Sequence, residues 1–299
     1  MSKYIYLFCI ITFSVFILWN CGEPSASDDF NKKYPVSSID EIVVRNVKGT
    51  ITVMDNTGDA TNISISAKKT GWSKFDLDRI IINADMSGDT VLLVETTHPN
   101  DVNDVFVNYE IKIPSTGFSV SVKNTEGNVT LKDFETLKSA EVENGNVSIS
   151  KIKTGELIQV KNGSISALDS DSLKKIYVET GSVALSKIKS AQLIQVKNGN
   201  VSVSNSDYLK TISVETGNIS AYISELTDDI ALTTKTGVIN AYIELTDYKS
   251  IILKAEDGVT VSNKKNISLT GSGTYSINLS VTEGSIILDN SSDTTSDAP

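Results

Sequence analysis

Ile158-Gln-Val-Lys-Asn-Gly163-Ser-Ile-Ser166 is followed by Ile176-Tyr-Val-Glu-Thr-Gly181-Ser-Val-Ala184. Then come Ile194-Gln-Val-Lys-Asn-Gly199-Asn-Val-Ser202 and Ile212-Ser-Val-Glu-Thr-Gly217-Asn-Ile-Ser220. One phrase thus returns every 18 residues, and the same step leads back to Gly145 and Gly127. A fixed period of this length is the signature of stacked supersecondary units, each too small to bury its own apolar face.

The columns of the repeat say what each unit is made of. Five residues before the glycines stand Ala140, Ile158, Ile176, Ile194 and Ile212, continued by Leu232, Leu253 and Leu279 in later units of looser spacing. Two residues after them stand Val129, Val147, Ile165, Val183, Val201 and Ile219. Alternation with period two on both sides of a glycine predicts two short strands joined by a tight bend. Asn-Gly and Thr-Gly suit that bend, because glycine tolerates positive φ and Asn hydrogen-bonds locally. The predicted fold is all-β: a single-stranded parallel β-helix, or β-solenoid, with 18-residue coils and a right-handed turn.

A charged column supports parallel stacking. Two residues before successive glycines come Glu143, Lys161, Glu179, Lys197, Glu215, Lys235 and Glu256, alternating in sign at every step. Parallel neighbours lie about 4.8 Å apart, so alternation replaces repulsion by pairing. A slip of one coil would set like on like. Lys151–Ser186 and Lys187–Tyr222 match at 20 of 36 positions, so a two-coil duplication accounts for part of the pattern.

Outward from the array, the chain divides into five parts. Residues 1–20 read as a signal peptide: Lys3, an apolar run from Tyr4 to Leu18, then Trp19-Asn20. Leu18-Trp-Asn-Cys21 resembles the lipobox of bacterial lipoproteins, which implies acylation of Cys21; Asn20 departs from the small residue usual before that cysteine. Residues 21–35 read as the lipidated cysteine and a polar tether. Residues 36–117 read as an irregular N-terminal β part of the solenoid, with Gly49-Thr-Ile-Thr-Val53 already in the repeat pattern. Within it Ser73–Met86 fits either a strand or a short helical turn before one. Residues 118–290 are the regular repeats, loosening after Gly217 to Gly237, Gly258 and Gly284, and 291–299 are a polar, disordered tail.

In these features the chain resembles the bacterial "putative-adhesin" β-solenoid domains. The likeness rests on Val47-Lys-Gly-Thr-Ile-Thr-Val53, on Ile111-Lys-Ile-Pro114 directly before Phe118-Ser-Val-Ser-Val122, and on the recurring Val-x-Asn/Thr-Gly-x-Ile/Val unit. It spans about residues 36–290, and it implies fold rather than chemistry, because that family offers no catalytic motif to transfer.

The charge balance excludes partners more firmly than it names them. The formal net charge is −10, and removing residues 1–20 takes only Lys3 from that balance. Such a surface disfavours nucleic acid and anionic headgroups. Loss of the leader also removes Cys9, leaving Cys21 as the sole cysteine, so no disulfide is available. His98 is the single histidine and lies in the turn-like Thr97-His-Pro-Asn-Asp101, with no partners for a zinc site or triad. Acidic groups at Asp76/Asp78, Asp101/Asn103/Asp104 and Asp169/Asp171 carry the right atoms for calcium but no EF-hand or β-roll pattern, and read as solvated loops. The Asn-x-Ser/Thr triplets at Asn146, Asn200 and Asn218 read as by-products of the repeat.

The expected protein is a non-enzymatic, cofactor-free scaffold or adhesin-like binding surface of the bacterial cell envelope. Its anchor is lipid, in the outer membrane or at the cell surface, and its partner a protein or glycan. The alternatives are an envelope sensor working through a membrane partner, or a polysaccharide-active β-helix enzyme. The latter needs convergent carboxylates on long loops that 18-residue coils do not offer.

Overall fold

The computed structural model describes residues 26–223, 226, 228–244, 249–256, 259–263, 269–270 and 273–289. Over these residues the chain is all-β, with a single six-residue α-helix. The N-terminal strands are β1 (Ala26–Pro35), β2 (Glu41–Lys48), β3 (Ile51–Asp55) and β4 (Asn62–Gly71). After α1 (Lys74–Arg79) come β5 (Ile81–Ser87), β6 (Val91–Thr97), β7 (Val105–Ile113) and β8 (Ser119–Glu126). The repeats supply β9 (Val129–Asn144), β10 (Val147–Asn162), β11 (Ile165–Thr180), β12 (Val183–Asn198), β13 (Val201–Ser204) and β14 (Tyr208–Thr216). The chain then runs through β15 (Ile219–Ile223), β16 (Ile230–Ile243), β17 (Ser250–Ala255), β18 (Thr260–Asn263) and β19 (Ser276–Asp289).

The 18-residue step of the sequence is the hydrogen-bonding register of the structure. Ala140, Ile158, Ile176, Ile194 and Ile212 are successive parallel partners, as are Val129, Val147, Ile165 and Val183. The four isoleucines of the first series are fully buried. Each contributes about 1.5–3 kcal/mol relative to exposure, so one column of identical side chains packed on itself supports the stack.

Each repeat differs from two short strands and one bend. A strand of 16 residues runs from one glycine to the next, and it bends a second time six residues after the glycine. At that corner Asp133, Lys151, Asp169, Lys187 and Asn205 all take left-handed backbone, with φ between 50° and 61°. The corner resets the alternation. In β10 Ile149 and Ile152 are both buried although they stand three positions apart, because Lys151 takes up the extra step. The column after the corner reads Phe134, Ile152, Ser170, Ile188, Ser206, and the buried Ser170 and Ser206 hydroxyls accept the Ile152 and Ile188 N–H groups at 3.2 and 3.3 Å.

The glycine column is continuous. The Gly181 carbonyl oxygen lies where a Cβ on Gly199 would stand, and the same relation links Gly49 to Gly127 and Gly237 to Gly284. Gly49 therefore belongs to the array, and Gly258 lies outside the described residues. Beside the glycines runs a ladder of side chains bonded to backbone. The Asn146 N–H donates to Asn128 Oδ1 at 2.9 Å, and Ser164 to Asn146 Oδ1 at 2.8 Å. Asn218 then donates to Asn200 Oδ1, and Val238 to Asn218 Oδ1, both at 2.8 Å. The Asn-x-Ser/Thr triplets thus have a structural role, since they satisfy backbone donors at the bend.

Both ends depart from sequence order. At the C-terminal end β19 inserts between β16 and the pair β17/β18, so Leu279 stands between Leu232 and Leu253. The expected column order Leu232, Leu253, Leu279 is corrected accordingly, since spacing along the chain does not reveal which unit stacks first. At the N-terminal end β2 and β3 form a repeat around Gly49, and β6 and β7 pair parallel on its outer side. Antiparallel β5 joins β6, and β4 joins β7. The tether expected over 21–35 is corrected from residue 26 onward, where β1 pairs antiparallel with all of β4 from Ala26↔Gly71 to Pro35↔Asn62. Its polar composition hides an edge strand: Ala26, Phe30 and Tyr34 pack against the core, Asp28 on the same face meets the buried Lys69, and the odd-numbered residues between them face solvent. Ser73–Met86 resolves into α1, with the Ser73 hydroxyl accepting the Asp76 N–H at 3.4 Å, followed by β5.

Candidate functional site

One side of the array carries a trough built by register. Lys123, Glu141, Gln159, Tyr177, Gln195 and Ser213 are consecutive parallel partners across β8, β9, β10, β11, β12 and β14. The row two residues further along each strand contributes Glu143, Lys161, Glu179, Lys197 and Glu215. Together they line a groove of about 600 Å³. Lys123 and Glu141 also line a second space of about 720 Å³, which extends past Lys138 to Arg45 and Glu95. The trough follows the direction of stacking and opens to solvent along its length.

Tyr177 is its aromatic centre, half-buried, with Gln159 and Gln195 directly before and after it in the stack. An amide offers both donors and an acceptor, and a phenol presents an apolar ring with a polar tip. Strand alternation alone places these groups here: Ile176 and Val178 point inward, so Tyr177 must point outward. The sequence showed this column as the variable position within a constant phrase, a signal that periodicity alone passes over.

The charge ladder lies along the trough but pairs loosely. Within the series Glu143, Lys161, Glu179, Lys197, Glu215, Lys235 and Glu256, Lys197 and Glu179 approach to 3.8 Å, and this is its one ion pair within 4 Å among the described residues. The last step is corrected too: between Thr234↔Val281 and Thr236↔Glu283, Lys235 faces Thr282 rather than Glu256. Long half-exposed side chains on a flat face keep their freedom, because an exposed pair gains less than ordering costs. Closer pairs stand at the corners, in columns that alternate as well: Lys151–Asp133, Lys153–Glu135 and Lys189–Asp171 measure 3.5, 3.3 and 2.6 Å, with Lys187–Asp169 at 3.9 Å. Five residues past the corner, Lys174 meets Glu156 at 2.9 Å.

Most of the acidic groups weighed for calcium are occupied by cations of the chain itself. Asp169 and Asp171 belong to those corner pairs, Asp78 meets Lys74 at 2.8 Å, and Arg79 reaches Asp101 at 2.6 Å and Asp76 at 3.8 Å. The Arg79 guanidinium holds the Asp101 carboxyl below the usual range. His98 is half-buried rather than solvated, with Nδ1 and Nε2 each 3.2 Å from a backbone carbonyl, those of Pro99 and Val105. It ties the loop between β6 and β7. Glu41 lines the second space and is largely enclosed: Lys138 at 2.8 Å, with the Ser121 hydroxyl at 2.9 Å, lowers its pKa against the opposing effect of burial. Burial pushes the Tyr109 phenol, bonded to Thr96 Oγ1 at 2.6 Å, up to about 12.

Cys21, the proposed lipid site, lies outside the described residues, as do the leader and residues 291–299. Among the described residues no helix is long and apolar enough to cross a membrane.

No family model matches the chain, and no curated protein matches it. Solved structures of low similarity do. A "putative cell adhesion protein" from Clostridium sporogenes is 13% identical with a TM-score of 0.26, over 89% of this chain and 100% of that one. A "putative adhesin" from Bacteroides fragilis is 13% identical with a TM-score of 0.39, over 87% and 97%. A "putative lipid binding protein" from Parabacteroides distasonis is 11% identical with a TM-score of 0.29, over 88% and 95%. At such identities and scores, nothing about partner or activity passes from these proteins to this chain.

Proposed function

We propose that this chain is a lipid-anchored protein of the bacterial cell envelope whose stacked repeats form a right-handed parallel β-solenoid. Its trough is a non-catalytic, adhesin-like binding surface for an extended glycan. The observation that carries the reading is the column Gln159–Tyr177–Gln195 at the centre of a groove of about 600 Å³. A sugar ring laid on Tyr177 would cover an apolar face, and the amides before and after it would serve the hydroxyls of neighbouring sugars. The flanking row alternates in sign, so it presents no net field to select a charged polymer. Regular spacing along the stack suits a linear chain better than a compact ligand.

The test is a glycan and matrix-protein binding array on the purified protein, repeated with Tyr177→Ala and Gln195→Ala. A glycan bound intact, with affinity reduced about tenfold or more by Tyr177→Ala, is the expected result; burying an aromatic side chain is worth about 1.5–3 kcal/mol. Binding confined to proteins, or turnover of the glycan, would overturn the reading.

A further inference from the structure

We infer that the end of the molecule formed by α1 and the start of β5 is a membrane-contact surface that seats the N-terminal cap on the bilayer. This rests on the reading of Cys21 as the acylated residue. The observation that prompts it is exposure. Trp72 is 52%, Phe75 72% and Ile81 52% exposed, within ten residues of one another. Scattered apolar residues on a surface are ordinary, but three large ones gathered at one end mark an interaction site. Tryptophan and phenylalanine beside charged groups suit the boundary between headgroups and acyl chains.

The position of the chain's start names the occupant. Ala26 pairs with Gly71, the residue immediately before Trp72. Cys21 precedes Ala26 by five residues, a reach of at most about 17 Å. An acyl group on Cys21 thus holds this end, rather than the far end of the stack, against the membrane.

The surface is also held rigidly to the strand that leads from the anchor. The buried Lys69 ammonium contacts Asp28 of β1 at 2.7 Å and the Leu77 and Ile80 carbonyls of α1 at 3.3 Å each. Arg79 stacks on Phe75 at 5.7 Å and is fixed by Asp101. Lys74 and Asp78 pair with each other. The charges here are matched internally, so the contact is apolar and needs no anionic lipid.

The experiment uses the mature acylated protein in phosphatidylcholine vesicles; cleavage before Cys21 removes Trp19, so Trp72 is its single tryptophan. The expected result is Trp72 emission shifted to shorter wavelength and quenched by lipids brominated on their acyl chains, unchanged by salt. Phe75→Ser with Ile81→Ser is expected to abolish the quenching while the protein still floats with vesicles. Vesicle-bound acylated protein whose Trp72 is not quenched overturns the inference and leaves the anchor intact. So does cross-linking of two copies through this end. If mass spectrometry finds no acyl group on Cys21, the anchor reading fails. Docking then stands or falls on whether the unacylated chain floats with the same vesicles.

Discussion

The carbonyl oxygen of Gly181 occupies the position that a Cβ on Gly199 would take. The backbone of Gly199 is also left-handed, with φ at 149°. Two independent costs therefore fall on one substitution. Gly199→Ala is expected to destabilise the protein by about 2–4 kcal/mol, because a displaced backbone neighbour adds to the conformational strain. Gly58 separates the two, since its φ is 142° but nothing lies within 4 Å of a Cβ there. Gly58→Ala is expected to cost about 1 kcal/mol, from conformation alone. Denaturant unfolding of both variants checks this; equal losses would remove the role given to close stacking.

The second corner of each repeat makes a different demand. Lys187 holds φ at 54° with its side chain in solvent, so conformation rather than space limits the residue. Lys187→Val is expected to destabilise by about 1–2 kcal/mol, since a β-branched side chain tolerates left-handed backbone poorly. Lys187→Asn is expected to be neutral or better, as Asn205 holds the equivalent corner natively. Thermal melts of the two variants decide it.

The corner charges carry the axial pairing expected of the trough ladder. Lys189 and Asp171 stand 2.6 Å apart, whereas Lys235 has Thr282 on one side and Glu215, beyond 4 Å, on the other. Lys189→Glu is expected to lower the melting temperature at low salt, with the loss shrinking as salt rises. Lys235→Glu is expected to change it less at every ionic strength. A salt-independent loss at Lys189 would count against pairing there.

The middle of the molecule was legible in the sequence and its ends were not, for physical reasons. From Val129 to Asn198 every repeat has the same length, so a column in the sequence is a column in space. Ile158 above Ala140 could be read directly. The corner at Lys151 was hidden because a left-handed residue without glycine carries little compositional signal. It shows only as a three-position step between Ile149 and Ile152. The insertion of β19 beside β16 could not be read, because local pattern gives each strand its face and not its neighbour. For the same reason Ala26–Pro35 passed for a tether: an edge strand needs one packed face, and three residues supply it. The trough was half legible. Its charged row was visible in sequence, but Tyr177 gains meaning only once Gln159 and Gln195 are known to stack on it.

Glu41 makes the N-terminal junction sensitive to acid. Its carboxylate joins β2 to Lys138 of β9 and to Ser121 of β8, and these partners lower its pKa in the folded protein. A group whose folded pKa is depressed contributes stability above its unfolded value and loses it as pH falls through the folded one. The contribution is thus full at neutral pH, begins to fade near the ordinary glutamate value of 4.5, and is gone once the folded carboxyl is protonated. Its side chain is 19% exposed, so a value of about 1 kcal/mol is expected, toward the upper end for a partly solvated pair. Glu41→Gln is expected to lower stability by that amount at pH 7 and to flatten the fall as pH drops below the ordinary glutamate value of 4.5. Urea unfolding from neutral to acid pH tests it: wild type and variant should converge at the acid end, and parallel curves would show that Glu41 is not the titrating group.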